Sequence, residues 1–156
     1  MGKSKSYEVI EYRDLIKKYL LESDSICELL GNTESPQSLW HNAIYPYEFI
    51  PDTTETKKSF INFELRTDSD VMNPTYKTVT IWFFISTHID NLVDSTSLWY
   101  DRVVCVLDNL IAQENVLGIN EVKLISNAPY TLADNFKGRI LIFKAKDYYD
   151  GKKNGK

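Results

Sequence analysis

Residues 59–66 read SFINFELR and residues 77–86 read KTVTIWFFIS, and these two stretches decide the fold. From Ile61 to Arg66 apolar and polar residues alternate strictly, and a period of two is typical of a β-strand with one buried face. The second stretch begins with alternation but is apolar at every position from 81 to 85. A strand with two apolar faces needs cover on both, from a helix and a second layer or from another subunit. The pattern favours a protein that works by assembly rather than by catalysis.

Helical periodicity flanks these strands on both sides. Apolar residues recur every three or four positions from 9 to 20, and Ser23 and Asp24 can cap a second short helix that ends at Gly31. A third helix is predicted from 97 to 111, where the i, i+3, i+4, i+7 pattern is clearest.

The strands complete the predicted topology. Two further strands are expected at 121–126 and 138–146, and the long connection 67–76 predicts a projecting antiparallel hairpin. The resulting order is α-α-loop-β-β-α-β-β, an α+β fold whose small antiparallel or mixed sheet, of about four strands, packs against helices. We expect one domain over residues 1–148 and a disordered tail at 149–156.

A long irregular segment, residues 32–55, precedes the first strand. Segments of this length without periodicity are unusual inside a compact domain and often serve a function. Because this one contains large apolar side chains, we expect it to pack on the rest of the domain. Those side chains are Trp40, Ile44, Tyr45, Tyr47, Phe49 and Ile50.

Composition sets the broad class. A chain of 156 residues with 43% hydrophobic and 26% charged residues is ordinary for one globular domain. A formal net charge of −4 argues against broad, sequence-independent nucleic-acid binding. A local positive patch at the two ends stays open, with solvated termini as the alternative. The terminal lysines are Lys3, Lys5, Lys152, Lys153 and Lys156.

The cysteines and the apolar segments indicate a compartment. Cys27 and Cys105 lie far apart within apolar helical patterns, so both are predicted to be core residues in a reducing compartment. No apolar stretch follows the first residues, and no window reaches the roughly 18 apolar residues of a membrane span. We therefore expect neither export by a signal peptide nor insertion in a membrane.

Candidate catalytic and metal-binding groups are few. His88 with Asp90 could orient an imidazole or supply two metal ligands, and Asp68 with Asp70, or Asp90 with Asp94, could bind a hard cation. No further ligands, nucleophile motif or glycine-rich phosphate loop accompany them. We therefore expect no enzyme, no cofactor and no metal. His88 is interpreted as a strand-end residue bonded to a loop, and the Asp pairs as solvated turns.

With its elements in this order, the chain resembles the tail terminator (tail completion) proteins of long-tailed bacteriophages and related neck proteins. The resemblance spans roughly residues 8–148 and follows the order of elements and several local patterns. These are DSICELLG at 24–31, the proline-bearing approach IYP at 44–46 with FIPDT at 49–53, the His-x-Asp at 88–90 and the closing strand with ILIF at 140–143.

The resemblance implies a non-enzymatic virion protein at the junction of tail and head, assembled in the host cytoplasm. Family members form a ring, generally of six subunits, that caps the tail tube and receives the connector or stopper of the head. Such a homo-oligomer lets DNA pass through its lumen without sequence-specific binding and contacts no membrane. A negative lumen, lined by turns such as 68–70, would repel DNA and let it slide.

A set of residues is expected at subunit or partner contacts. It draws on the irregular segment, the hairpin tip, the strand at 77–86 that has two apolar faces, and the helix that follows this strand. The residues are Tyr47, Phe49, Pro51, Asp68, Asp70, Tyr76, Trp82, Phe84, His88, Asp90 and Arg102.

Two alternatives remain at this stage. One is a neighbouring neck component, a head–tail connector or stopper that seals the filled head. The other is a soluble domain that binds a small ligand or a host protein, with Trp82 and Trp99 lining a pocket.

Overall fold

Five strands form one mixed sheet, with three helices on one of its faces, in a computed structural model of the protein. It describes residues 7–52, 57–69, 72–73, 75–94, 96–112 and 122–148. The helices are α1 (Glu8–Glu22), α2 (Asp24–Leu29) and α3 (Trp99–Ile111), and short 3-10 turns cover Pro36–Leu39 and Ile89–Asn91. The strands are β1 (Ile44–Tyr45), β2 (Ser59–Ser69), β3 (Tyr76–His88), β4 (Val93–Asp94), β5 (Ser97–Leu98), β6 (Lys123–Ala133) and β7 (Phe136–Tyr148).

The prediction of an α+β fold is confirmed, and the structure adds the short strands β1, β4 and β5. The main sheet has the order β1-β2-β3-β7-β6, in which the fifth strand, β1, is two residues long and runs parallel to β2. The strand predicted at 121–126 is β6, which runs on to Ala133, and the strand predicted at 138–146 is the longer β7. β4 and β5 form a separate two-stranded pair before α3. The predicted disordered tail, 149–156, lies outside the described residues.

The two stretches at 59–66 and 77–86 pair as predicted. β2 and β3 are antiparallel from Ser59 opposite Thr87 to Ser69 opposite Lys77. β3 also pairs with β7 along its whole length, so it lies at the centre of the sheet. Of the predicted hairpin tip, residues 70, 71 and 74 lie outside the described part of the chain.

One face of the sheet and the helices enclose the main core. Phe63, Ile81, Phe83 and Phe143 point to this side from three adjacent strands, and all are fully buried. The helices supply the facing layer, and the Trp99 indole donates a hydrogen bond of 2.9 Å to the Leu29 carbonyl, which ties α3 to α2. The buried helix residues include Ile16, Leu20, Ile26, Val103, Leu107 and Ile111.

The helix boundaries follow local chemistry. The Ser23 hydroxyl accepts a hydrogen bond of 3.3 Å from the Ile26 amide, so it caps α2 as predicted. Just after α2, Gly31 has a φ of +78°, a conformation in which a side chain is disfavoured.

The prediction for the cysteines is correct for Cys27, which is buried, and wrong for Cys105, which is exposed. The buried residues of α3 recur every four positions, from Trp99 to Ile111. Position 105 lies half a turn away from that stripe, on the solvent side of the helix.

A buried polar cluster joins the first helix to the sheet. The Lys77 ammonium forms an ion pair with Glu8, and the two side chains are only 2% and 6% exposed. Tyr12 donates a hydrogen bond to Asp147, which lies opposite Lys77 on β7, and its ring lies 5.2 Å from the Lys77 ammonium. Burial and the Asp147 carboxylate raise the pKa of Tyr12 above its ordinary value. The cluster thus holds the start of α1 against the end of β7.

Replacing Lys77 with Met tests how much the fold depends on this cluster. The change leaves the Glu8 carboxylate buried without its cation, so we expect a loss of about 3–5 kcal/mol in the free energy of unfolding. Urea denaturation measures it. Lys57→Met is the matched control, because Lys57 pairs with Asp90 at 3.0 Å on the exposed surface and should contribute nothing measurable. A Lys77→Met protein as stable as the control would contradict the role of the cluster.

Candidate interaction surface

The sheet face opposite the helices is the candidate functional surface. Strand alternation places Trp82 and Phe84 of β3 on this face, and the register places Ile142 and Ile140 of β7 directly beside them. All four side chains are half-buried. We call these four residues the open patch. Among the described residues, the three helices pack on the other face, so no helix covers the patch.

An aromatic loop, residues 45–49, covers one end of the same face. The Tyr45 and Phe49 rings stack with centroids 3.9 Å apart, and Phe49 in turn lies 5.6 Å from the ring of Phe60 on β2. The side-chain amide of Asn62 donates a hydrogen bond of 3.1 Å from Nδ2 to the Phe49 carbonyl. The irregular segment therefore packs on the sheet, as predicted from its aromatic content.

Two polar contacts hold the aromatic loop. Arg13 of α1 donates to the Pro46 carbonyl, and the Tyr130 hydroxyl of β6 donates to the Glu48 carboxylate at 2.7 Å. Burial and the Glu48 carboxylate raise the pKa of Tyr130 above its ordinary value. Tyr130 also packs on Phe84, with ring centroids 5.8 Å apart. The loop and the open patch are thus parts of one continuous surface.

One buried acceptor lies beside this surface. Asn62 is opposite Phe84 in the register and is 2% exposed, and in the described part of the chain its Oδ1 atom has no hydrogen-bond partner. Burying an acceptor without a partner is costly. The position suits a donor that arrives from outside the described residues, such as a water molecule or a group of a second protein.

The β6 edge of the sheet is a poorer surface for association than the sheet face. The outer strand β6 contains Pro129, which has no amide hydrogen to donate, and its register shifts between Leu124 and Ser126 and again between Thr131 and Ala133. Prolines and bulges are devices that prevent edge-to-edge pairing of sheets. A partner of this protein is therefore expected to meet the face rather than the β6 edge.

His88, the histidine considered for catalysis, packs and forms hydrogen bonds as part of the fold. His88 ends β3 and is buried, its ring lies edge-on to Phe136, and its Nδ1 atom accepts a hydrogen bond of 3.1 Å from the Asp90 amide. Asp90 is exposed, and its ion pair with Lys57 holds the pKa of its carboxyl below its usual value. Within the described ranges no three His, Cys, Asp or Glu side chains are close enough together to hold a metal ion.

The structure brings together some of the predicted contact residues and separates others. Phe49, Trp82 and Phe84 share the helix-free face. Tyr47 is exposed at the aromatic loop and Pro51 is buried just beyond it. The others are dispersed. Asp68 and Tyr76 lie at the far end of β2 and β3, His88 and Asp90 at the opposite end, Arg102 on the exposed side of α3, and Asp70 outside the described residues.

Sequence reasoning missed four residues of this surface. Ile140 and Ile142 complete the patch, and Asn62 and Tyr130 connect it to the aromatic loop. The apolar run at 140–143 indicated that β7 has two apolar faces, but its register against β3 was needed to place its residues beside Trp82.

The pocket proposed between Trp82 and Trp99 is not formed. Trp99 is buried in the helix-side core, whereas Trp82 lies on the opposite face of the sheet. Trp99 instead lines a cleft of about 490 Å³ near the end of α2. Polar and apolar residues line that cleft in about equal numbers, and the polar ones include Asn32, Asn42, Lys58 and Asn91.

Comparison with known proteins gives the family. The YomW family model matches residues 16–145, so the chain belongs to the YomW family. This is a family of phage SPbeta-like and Bacillus prophage proteins, and the chain is therefore phage-related. No curated protein matches it. Among the described residues, no helix has both the length and the apolar character needed to cross a membrane.

Removing the Tyr130 hydroxyl should loosen the aromatic loop without unfolding the domain. In Tyr130→Phe the hydrogen bond to Glu48 is lost, which costs about 1 kcal/mol of the free energy that holds the loop in place. The backbone amide hydrogens at 45–50 should therefore exchange about fivefold faster. Because the pKa of Tyr130 is raised, its hydroxyl is protonated and can donate this hydrogen bond below about pH 10. The bond is lost at higher pH, when the hydroxyl loses its proton.

Hydrogen exchange measured by mass spectrometry separates the effects. Tyr47→Phe is the control, since it removes a hydroxyl from the same loop and leaves the pair between Tyr130 and Glu48 intact. Equal exchange in both variants would show that this hydrogen bond does not hold the loop.

Proposed function

We propose that this protein is a non-enzymatic structural component of a phage particle, a tail terminator that caps the tail tube as a ring and joins it to the head. The observation that carries the proposal is the open patch, an apolar surface at the centre of the sheet in a phage-related protein. Half-buried Trp, Phe and Ile side chains at the middle of a face are typical of a surface that another protein covers.

The geometry suits a ring of identical subunits. The two faces of the sheet differ, since helices cover one and the aromatic loop covers only one end of the other. A subunit that offers its open patch to a different patch of the next subunit makes a heterologous contact, and a series of such contacts closes into a ring. The tail tube and the head connector or stopper would then meet the two ends of this ring.

The soluble ligand-binding alternative has less support. Its two tryptophans lie on opposite faces of the sheet, so they do not form the expected pocket. The neck connector or stopper remains the nearer competitor, because a ring component of the head would use the same surface.

Electron microscopy of particles from a phage genome with this reading frame disabled tests the proposal. A terminator predicts filled heads beside unjoined tails of irregular and excessive length. Tails of normal length beside heads that have lost DNA would favour the connector or stopper. Intact infectious particles would contradict any role in the neck.

Replacing Trp82 and Phe84 with Ser should prevent self-association while leaving the subunit folded. A fully buried side chain of this size contributes about 1.5–3 kcal/mol, so the double variant should associate at least about tenfold more weakly. Sedimentation at high protein concentration, alone and with tail tubes, measures the association.

Ile10→Ser with Val93→Ser is the control, since these side chains are 51% and 71% exposed away from the open patch. Circular dichroism checks the fold of each variant. Global unfolding of the Trp82 and Phe84 variant would show that these residues belong to the core. Undiminished association would show that the open patch is not part of the interface.

A further inference from the structure

The two edges of the main sheet are built differently. Pro129 and two shifts of register protect the β6 edge. At the other edge, β1 is two residues long and pairs only with Ile61 and Asn62 of β2. From Leu65 onward β2 keeps a regular register with β3, and in the described part of the chain no strand pairs with its other side. The second half of β2 is therefore an open edge.

The backbone of this edge offers hydrogen-bonding groups to a partner. The Ile61 amide donates a hydrogen bond of 2.9 Å to the Ala43 carbonyl, so the backbone groups of Ile61 point away from β3. Because this direction alternates along a strand, the amides and carbonyls of Leu65 and Thr67 point outward as well. Within the described ranges no hydrogen bond reaches these outward groups. An added strand would satisfy them.

The side chains along this edge carry alternating charge. Glu64, Arg66 and Asp68 lie two residues apart on the helix-free face of β2, and their charges read acidic, basic, acidic. Opposite charges that face each other across neighbouring strands are stabilising, and like charges are destabilising. The edge therefore selects a strand whose charges read basic, acidic, basic at the same spacing.

We propose that the β2 edge, residues 64–68, binds an extended segment of a partner protein as an added antiparallel strand, and that this segment carries basic, acidic and basic residues at alternate positions. Hydrogen bonds to the main chain supply affinity, and the alternating charges supply specificity. A second copy of this chain is a poorer occupant. Its own pattern, paired antiparallel with itself, places opposite charges at only two of the three positions.

The ion pairs already present along this edge do not close it. Arg66 contacts Asp68 at 2.9 Å, and Arg13 contacts Glu64 at 3.3 Å. The four side chains are between 32% and 64% exposed, and exposed ion pairs contribute little to stability, so they are cheap to rearrange. The edge is a different surface from the open patch, and the proposal does not rest on ring formation.

Two peptides of identical composition test the proposal on the full chain, in NMR titrations up to about 1 mM peptide. The matching peptide, Thr-Lys-Val-Glu-Thr-Lys, places its charged residues opposite Asp68, Arg66 and Glu64 with opposite sign when it pairs antiparallel. The mismatched peptide, Thr-Glu-Val-Lys-Thr-Lys, exchanges the first two charges. Both peptides are acetylated and amidated, so that terminal charges do not contribute.

We expect the matching peptide to bind at least about fivefold more tightly than the mismatched one. In the complex the amides of Leu65 and Thr67 should exchange with solvent more slowly. The amides of Glu64 and Arg66 already face β3 and should change little. A protein with Arg66→Asp and Asp68→Arg has the same net charge and should prefer the mismatched peptide.

Thr67→Pro tests the backbone contribution separately. The change removes an outward amide hydrogen without breaking a hydrogen bond to β3, so the variant should fold and lose peptide binding. Thr67→Val is the control, because it keeps the amide, and thermal melting checks that each variant is folded. If Thr67→Pro does not fold, the charge-swapped protein still decides the question.

Four results would overturn the proposal. They are no binding of the matching peptide at about 1 mM, equal binding of the two peptides, an unchanged preference in the charge-swapped protein, and a dimer of the unaltered chain that Thr67→Pro dissociates. The last result would show that a second copy fills the edge.

Discussion

The structure depends on one constraint: a single sheet whose central strand is apolar on both faces. β3 buries Val79, Ile81, Phe83 and Ile85 against the helices, which remove that face from water. Three helices cannot also cover the other face, where Trp82 and Phe84 lie half-buried. Because burial of apolar surface is the main favourable term in folding and association, this leftover surface favours contact with another protein.

Around this constraint the remaining parts have distinct roles. The aromatic loop protects one end of the helix-free face, while Pro129 and two bulges keep the edge strand β6 from pairing with another sheet. The buried ion pair of Lys77 and Glu8 fastens the first helix to the opposite end of the sheet. In the described part of the chain, what is left exposed is a sheet face with an apolar centre.

The fold could be predicted largely because its signals are local. A period of two marks β2, a period near 3.6 marks α3, and Ser23 and Gly31 mark helix ends by their own chemistry. Register is not local, so the neighbours of Trp82 could not be named from the sequence. The error at Cys105 has a different cause, because the apolar stripe of α3 marks the side that faces the core and position 105 lies half a turn away from it.

The site was predictable only in part, for a physical reason. Trp82 and Phe84 stood out because they break the alternation of a strand, whereas Tyr130 and Asn62 contact the aromatic loop through long-range hydrogen bonds that no spacing encodes.

An electron cryomicroscopy map of the assembled particle, or of the purified assembly, tests the central claim most directly. If the sheet's second face is an interface, Trp82, Phe84, Ile140 and Ile142 will lie in contact with a neighbouring subunit or partner protein. Finding that face open to solvent in the assembled state would contradict the claim.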